Sequence, residues 1–253
     1  MGPVTARPVE QLPATKEERD GGAERVRGDQ GGVHNTVIVR SVPTRNSPPL
    51  ADDLTRRLVD TAGRLLAEHG IDGLSLRRLA TEAGTSTMSV YTRFGGKPQL
   101  LTAMYREGFA RLGAFLAEAS EASGASAEPL EVLAETGRAY RRAALASPTL
   151  YGLMFGPPPP GLDPTPEDAE AAHATFRPLL EAVTRCVEAG SLVGDPDRIA
   201  AHLWAVTHGM VGLELAGRLP LDPVQVEEEY ENAMVFGAAP FLPGPGPEGR
   251  EGR

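Results

Sequence analysis

The chain has 253 residues, room for one or two domains, and its 41% hydrophobic content can build a core and excludes wholesale disorder. One cysteine, Cys186, excludes a disulfide framework and a multi-cysteine zinc site; with no apolar run near the roughly 18 residues of a membrane span and no signal-peptide core in residues 1–20, the expected location is the cytoplasm. The net charge of −9 argues against a nucleic-acid binder only until it is divided: residues 101–253 hold 22 acidic and 11 basic groups, whereas residues 51–100 hold 6 and 7, so that segment can bind DNA if its arginines gather on one face.

Residues 1–50 show no helical period and are expected to be a disordered tail. Two other readings stay open: a translation start further down, and a DNA-touching arm carrying Arg40 and Arg45. Organised sequence starts near Ala51, where Leu54, Leu58, Ala62, Leu65 and Leu66 trace one face of a helix that Gly70 ends. A second helix starts at Ser75, a candidate N-cap, with Leu76, Leu79, Ala80 and Ala83 on its apolar side. A third runs from about Ser86 to Arg93, and a fourth from Lys97 to about Ser120, carrying Leu100, Leu101, Met104, Phe109, Leu112 and Phe115. Further helices are expected from about Pro129 to Ala146, Pro148 to Phe155, Glu167 to Ala189, Pro196 to Leu219 and Pro223 to Ala238. Nothing reads as strand, so the fold is all-α, divided into a tail (1–50), a helix-turn-helix domain (51–100), a second helical domain (101–240) and a disordered tail (241–253).

Residues 75–94, SLRRLATEAGTSTMSVYTRF, are two short helices about Gly84, which takes a positive φ at no steric cost. Leu79, Ala83 and Val90 are spaced to pack this pair on the first helix, the arrangement of a helix-turn-helix whose second helix enters the major groove. Taken with Glu68-His69-Gly70, Ser75-Leu76-Arg77-Arg78-Leu79-Ala80, Ala83-Gly84, and Tyr91 followed by Phe94 and Lys97, the stretch 54–101 resembles the DNA-binding domain of the TetR family of bacterial transcriptional regulators. The resemblance implies double-stranded DNA as a partner, with contacts from Arg77, Ser86, Thr87, Met88, Tyr91, Thr92, Arg93 and Lys97. An arginine such as Arg77 can hold guanine O6 and N7 in bidentate fashion, and Met88 can meet a thymine methyl. Thr85 after the turn glycine, Met88, and the run Gly96-Lys97-Pro98 depart from the usual pattern of the family and leave the operator sequence open.

In the second helical domain, residues 203–213 are apolar around the whole circumference, which predicts burial on all sides, and Gly209 and Gly212 suit a two-fold helix–helix contact. Trp204-x-x-x-His208-Gly209, with Tyr151 to Phe155 upstream, resembles the WHG subgroup of TetR C-terminal domains, implying a homodimer with a small-molecule pocket. Candidate pocket residues are Phe109, Tyr140, Tyr151, Met154, Phe155, His173, Phe176, Trp204 and His208, each equally readable as plain core. Cys186 reads as a buried small hydrophobe and the Glu227–Glu229 run with Glu231 as a solvated face. No HExxH, P-loop or GxSxG motif occurs and the five histidines are scattered, so neither catalysis, metal nor cofactor is expected. The expected function is a repressor released from a palindromic operator by a small-molecule ligand. The alternatives are a ligand-independent regulator or activator, or a small-molecule-binding module with a vestigial helix-turn-helix.

Overall fold

A computed structural model describes residues 53–124 and 127–244; the expected tail over 1–50 and the end of the chain from 245 lie outside them. The described residues hold ten α-helices and a final 3₁₀ turn, and no strand. Helix α1 (Asp53–Gly73) turns a corner at Gly70, whose φ of 65° only glycine adopts freely. Helix α2 (Leu76–Glu82) starts where the Ser75 hydroxyl accepts the Arg78 amide, and α3 (Thr87–Phe94) where the Ser86 hydroxyl accepts the Ser89 amide. Between them Gly84 turns the chain at a φ of 64°.

Why these three helices stay together is a matter of burial. Leu58, Val59, Ala62 and Leu65 of α1 meet Leu79 of α2 and Val90 of α3 in one core, closed by Leu100, Leu101 and Met104 of α4 (Lys97–Ser123). Each leucine removed from water there contributes about 1.5–3 kcal/mol. Helix α4 has 27 residues, hence a length of about 40 Å. Further along it, Phe109, Leu112, Leu116 and Ala119 enter a second core with α5 (Pro129–Ala146). Helix α6 (Pro148–Phe155) is divided in the same way: Leu150 and Leu153 face the first core and Tyr151 the second. The proline-rich loop after it brings Leu162 back onto the first core.

Polar clamps fix the same junction. The Arg111 guanidinium of α4 binds Glu107 on its own helix (2.8 Å), Asp60 of α1 (2.6 Å) and the Ser147 hydroxyl before α6 (3.3 Å). Arg106 holds Asp168 of α7 (Pro166–Ala174) through two bonds of 2.5 and 3.0 Å, while the Asp168 carboxylate also accepts the Thr165 amide and so caps its own helix.

The remaining helices are α8 (Arg177–Glu188), α9 (Pro196–Leu215) and α10 (Pro223–Ala238). A third core joins Val132 and Leu133 of α5 to Val183 and Cys186 of α8 and to Ile199, Ala200 and Leu203 of α9. Several expectations need correction here. The single helix expected over 167–189 is two, because Pro178 has no N–H to bond and its ring would strike the Ala174 carbonyl. Helix α9 stops at Leu215 rather than 219, where Gly217 takes a φ of 61°. Order continues past residue 240: Ala239–Phe241 form the 3₁₀ turn, Phe241 packs on the third core, and its carbonyl accepts the Val193 amide at 2.7 Å. Residues 203–213 are not buried on all sides. Leu203 and Val211 are, but Ala205, Gly209 and Leu213 face outward, Leu213 with 46% of its surface exposed. An all-apolar circumference is satisfied equally by a core and by a face that awaits a partner.

Truncating Leu100, fully buried at the junction, to alanine should cost about 2–5 kcal/mol of unfolding free energy in a chemical denaturation series. Leu145→Ala, at a site 39% exposed, should stay within about 0.5 kcal/mol.

Candidate nucleic-acid interface and ligand cavity

The register of α3 follows from its two anchors. Val90 and Phe94, four residues apart, are buried, which turns Met88, Tyr91 and Thr92 toward solvent at i, i+3 and i+4. Met88 is 74% exposed and Tyr91 51%, far more than a core role allows. Ser86 is exposed and Thr87 half-buried at the start of the helix, where the Ser89 amide already donates to the Ser86 hydroxyl at 3.1 Å. Thr92 has given its proton to the Met88 carbonyl at 2.9 Å, so its oxygen is left as an acceptor. Arg77 is exposed on α2 and makes no ion pair among the described residues. Arg93 and Lys97 are placed differently from a free projecting cation. The Arg93 guanidinium donates to the Thr55 hydroxyl of α1 at 3.0 Å, and the Lys97 ammonium donates to the Ile71 carbonyl, closing the end of α1.

Behind this surface lies a cavity of about 840 Å³. Phe109, Leu112 and Leu116 of α4 form one side, and Leu133, Thr136 and Tyr140 of α5 another. Phe155, Phe176 and Trp204 supply an aromatic wall in which successive rings lie 6.4 and 6.1 Å apart. His173, Thr175, Thr207, Met234 and Val235 complete it, with the Arg138–Glu231 ion pair of 3.1 Å on its border. Of the residues expected at a pocket, Phe109, Tyr140, Phe155, His173, Phe176 and Trp204 line this cavity; Tyr151, Met154 and His208 do not. Met154 instead fills the space beside Gly108, where an added Cβ would sit 2.5 Å from its sulfur. The lining residues that sequence reasoning missed include Thr136, Arg138, Thr207 and Glu231; Glu231 was expected on a solvated face, yet its carboxylate is half-buried against Arg138.

Tyr151 and His208 form the layer behind Tyr140. The three polar atoms make a triangle: Tyr140 Oη to Tyr151 Oη 3.0 Å, and His208 Nδ1 to the two hydroxyls 2.9 and 2.7 Å. Burial pushes both phenols up, so they stay protonated, and pushes the His208 imidazole below its ordinary range, so it stays neutral. A neutral Nδ1 accepts one phenol proton while the other phenol donates to its neighbour, which satisfies the group. The sign of the linkage follows. A histidine depressed in the folded state takes up its proton more readily when unfolded, so stability is intact above the ordinary imidazole value and falls as pH drops below it. Denaturation of the wild-type chain should therefore show stability declining from about pH 6.5 downward, and His208→Gln should flatten that decline.

No group of three or more metal-ligating side chains occurs among the described residues, and no helix of theirs is long and apolar enough to cross a membrane. Residues 58–104 match the family described as bacterial regulatory proteins, tetR family, and residues 133–236 match a Tetracyclin repressor-like C-terminal domain. An HTH-type transcriptional regulator of Mycobacterium tuberculosis, Rv1816, is 29% identical over 144 residues, which are 57% of this chain and 60% of that one. The chain thus spans about 60% of the length of that curated relative. The HTH-type transcriptional repressor DrrR1 of Streptomyces coeruleorubidus is 46% identical over 48 residues, 19% of this chain and 18% of that one. A solved structure from Rhodococcus sp. RHA1, of a protein described as of unknown function, is 32% identical, covers 78% of this chain and 100% of its own, and superposes with a TM-score of 0.64. Two family domains in the order in which the helix-turn-helix and the cavity-bearing bundle occur, and a relative sharing the whole architecture, assign the protein: the chain belongs to the TetR family of bacterial regulatory proteins.

Proposed function

We propose that this chain is a sequence-specific DNA-binding transcriptional regulator, a homodimeric repressor that leaves a palindromic operator when a small molecule enters the cavity. The observation that carries the reading is the outward face of α3. Nothing in the packing of the domain needs Met88 and Tyr91 to be so exposed, while Val90 and Phe94 hold the helix beneath them. In this reading Tyr91 and Met88 touch base edges, and Arg77 supplies a bidentate guanine contact from α2. Ser86, Thr87 and Thr92 meet phosphates or bases through their oxygens. Lys97 keeps further N–H donors beyond the one given to Ile71, so it serves the DNA backbone while pinned, and Arg93 is read as a contact from the last turn of α3.

Two helices support the homodimer. Ala205, Gly209 and Leu213 form an exposed stripe on α9, and Val224, Val235 and Phe236 stand 65–71% exposed on α10. Such a surface is costly in water and suits a second copy across a two-fold axis. Two recognition helices held by that axis read half-sites about 34–36 Å apart. A ligand that prefers one dimer geometry shifts the equilibrium by its differential affinity, and α4, which lines the cavity and closes the DNA-binding core, couples the two events. The relative from Streptomyces coeruleorubidus named as a repressor supports the sign of regulation.

The test is a footprint on the DNA flanking the gene, at two salt concentrations. Wild type should protect a near-palindrome that survives the higher salt. Arg77→Ala should weaken that protection by about 1–3 kcal/mol, and Arg77→Ala combined with Tyr91→Ala should abolish it while thermal unfolding is unchanged. Phe236→Glu, at a side chain 71% exposed, should convert a dimer to a monomer in sedimentation velocity and abolish cooperative protection of the two half-sites. A wild-type chain that sediments as a monomer at all concentrations would overturn the homodimer.

A further inference from the structure

Apart from the exposed His173 ring, the polar side chains of the cavity wall have few donors left to offer. Thr136 donates its proton to the Val132 carbonyl (2.8 Å), Thr175 to the Ala172 carbonyl (2.7 Å) and Thr207 to the Leu203 carbonyl (3.0 Å). A threonine has one proton, so each of these hydroxyls presents only lone pairs to a guest. The Tyr140 hydroxyl is engaged by Tyr151 and His208. The one guanidinium on the border, that of Arg138, is surrounded by carboxylates: Glu231 at 3.1 Å, Glu131 at 3.0 Å and Glu135 at 3.5 Å. Arg142 answers Glu135 at 2.7 Å, which leaves the cluster one carboxylate in excess. Anions need donors or unpaired cations when they leave water, and cations need acceptors and π faces. The cavity has acceptors and the ring faces of Phe155, Phe176 and Trp204; its charged border is the Arg138–Glu231 pair, which Glu131 and Glu135 beside Arg138 make acidic although they do not line the cavity themselves.

We infer that the cavity selects a bulky lipophilic ligand of positive charge and rejects carboxylates and phosphates of the same size. The inference rests on the reading of the cavity as the regulatory ligand site and names the chemical class it takes. At about 840 Å³ it has room for a multi-ring or long-chain molecule. The acidic border stands where the charged end of such a molecule meets solvent, since Arg138 and Glu231 are both partly exposed.

Two ions of nearly equal shape and opposite sign test this directly, tetraphenylphosphonium and tetraphenylborate. Trp204 is the single tryptophan of the chain and lines the cavity, so its fluorescence reports occupancy by either ion in the full-length protein. Tetraphenylphosphonium should quench it with a Kd at least tenfold below that of tetraphenylborate. Glu231→Gln should narrow the ratio severalfold, and Glu135→Gln, on the same cluster, serves if that variant melts early. Equal or tighter binding of tetraphenylborate overturns the charge preference; if it also releases DNA in the footprint, the regulator reading stands without it. Quenching by neither ion overturns both this inference and the assignment of the cavity as a ligand site, while leaving DNA binding to be judged by its own footprint.

Discussion

Helix α4 is buried along its length against two different sets of neighbours. Leu100, Leu101 and Met104 complete the core that positions α3, and Phe109, Leu112 and Leu116 form a wall of the cavity. A continuous helix transmits displacement because its backbone bonds resist local compression, and close-packed side chains at both ends leave no slack to absorb it. Helix α6 repeats the arrangement on a smaller scale, with Leu150 and Leu153 on one core and Phe155 on the cavity. The Arg111 clamp on Asp60, Glu107 and Ser147 ties together α1, α4 and the start of α6, which also share the first core. What would otherwise be two domains on a flexible joint is thereby a single mechanical unit.

The charge distribution follows the same division of labour. The acidic excess that makes the chain look unsuited to DNA lies after residue 100, and part of it does local work. Glu107, Glu214 and Asp168 each hold an arginine of a neighbouring turn or helix. Fully exposed ion pairs contribute little stability, about 0–1 kcal/mol each, but the Arg141–Glu214 pair is only 16% exposed on either side. Asp168 and Glu107 are more sheltered still, with both carboxylates buried. Losing Arg106 or Arg111 would leave a charge stranded out of water, and that penalty is larger than the pair itself contributes.

Features set by a few adjacent residues were legible in the sequence. Ser75, Gly84 and Ser86 fix caps and a turn by local hydrogen bonds and a positive φ, and the prolines in the first turns of α4 to α10 need nothing from elsewhere. The break between α7 and α8 was legible too, in Pro178, but the strong apolar period of α8 drew attention away from it. The cavity was half legible: aromatic residues at helical spacing announce an apolar interior without saying which of them line a void. Tyr151 and His208 illustrate the difference, since they stand one layer behind Tyr140. Contacts such as Arg138 with Glu231, 93 residues apart, leave no local trace, and the outward face of Ala205, Gly209 and Leu213 cannot be told from a core face by pattern alone.

Cys186 closes the third core with none of its surface exposed, and burial pushes its thiol pKa up. A thiol both sealed from reagent and poor in thiolate reacts slowly. As the chain has no other cysteine, any cysteine introduced at an exposed position would be the one nucleophilic sulfur in the native protein. The wild-type background is therefore ready for site-selective spin or fluorophore labelling without removing a native residue, and the distance between paired labels on two copies could be followed as the protein changes state.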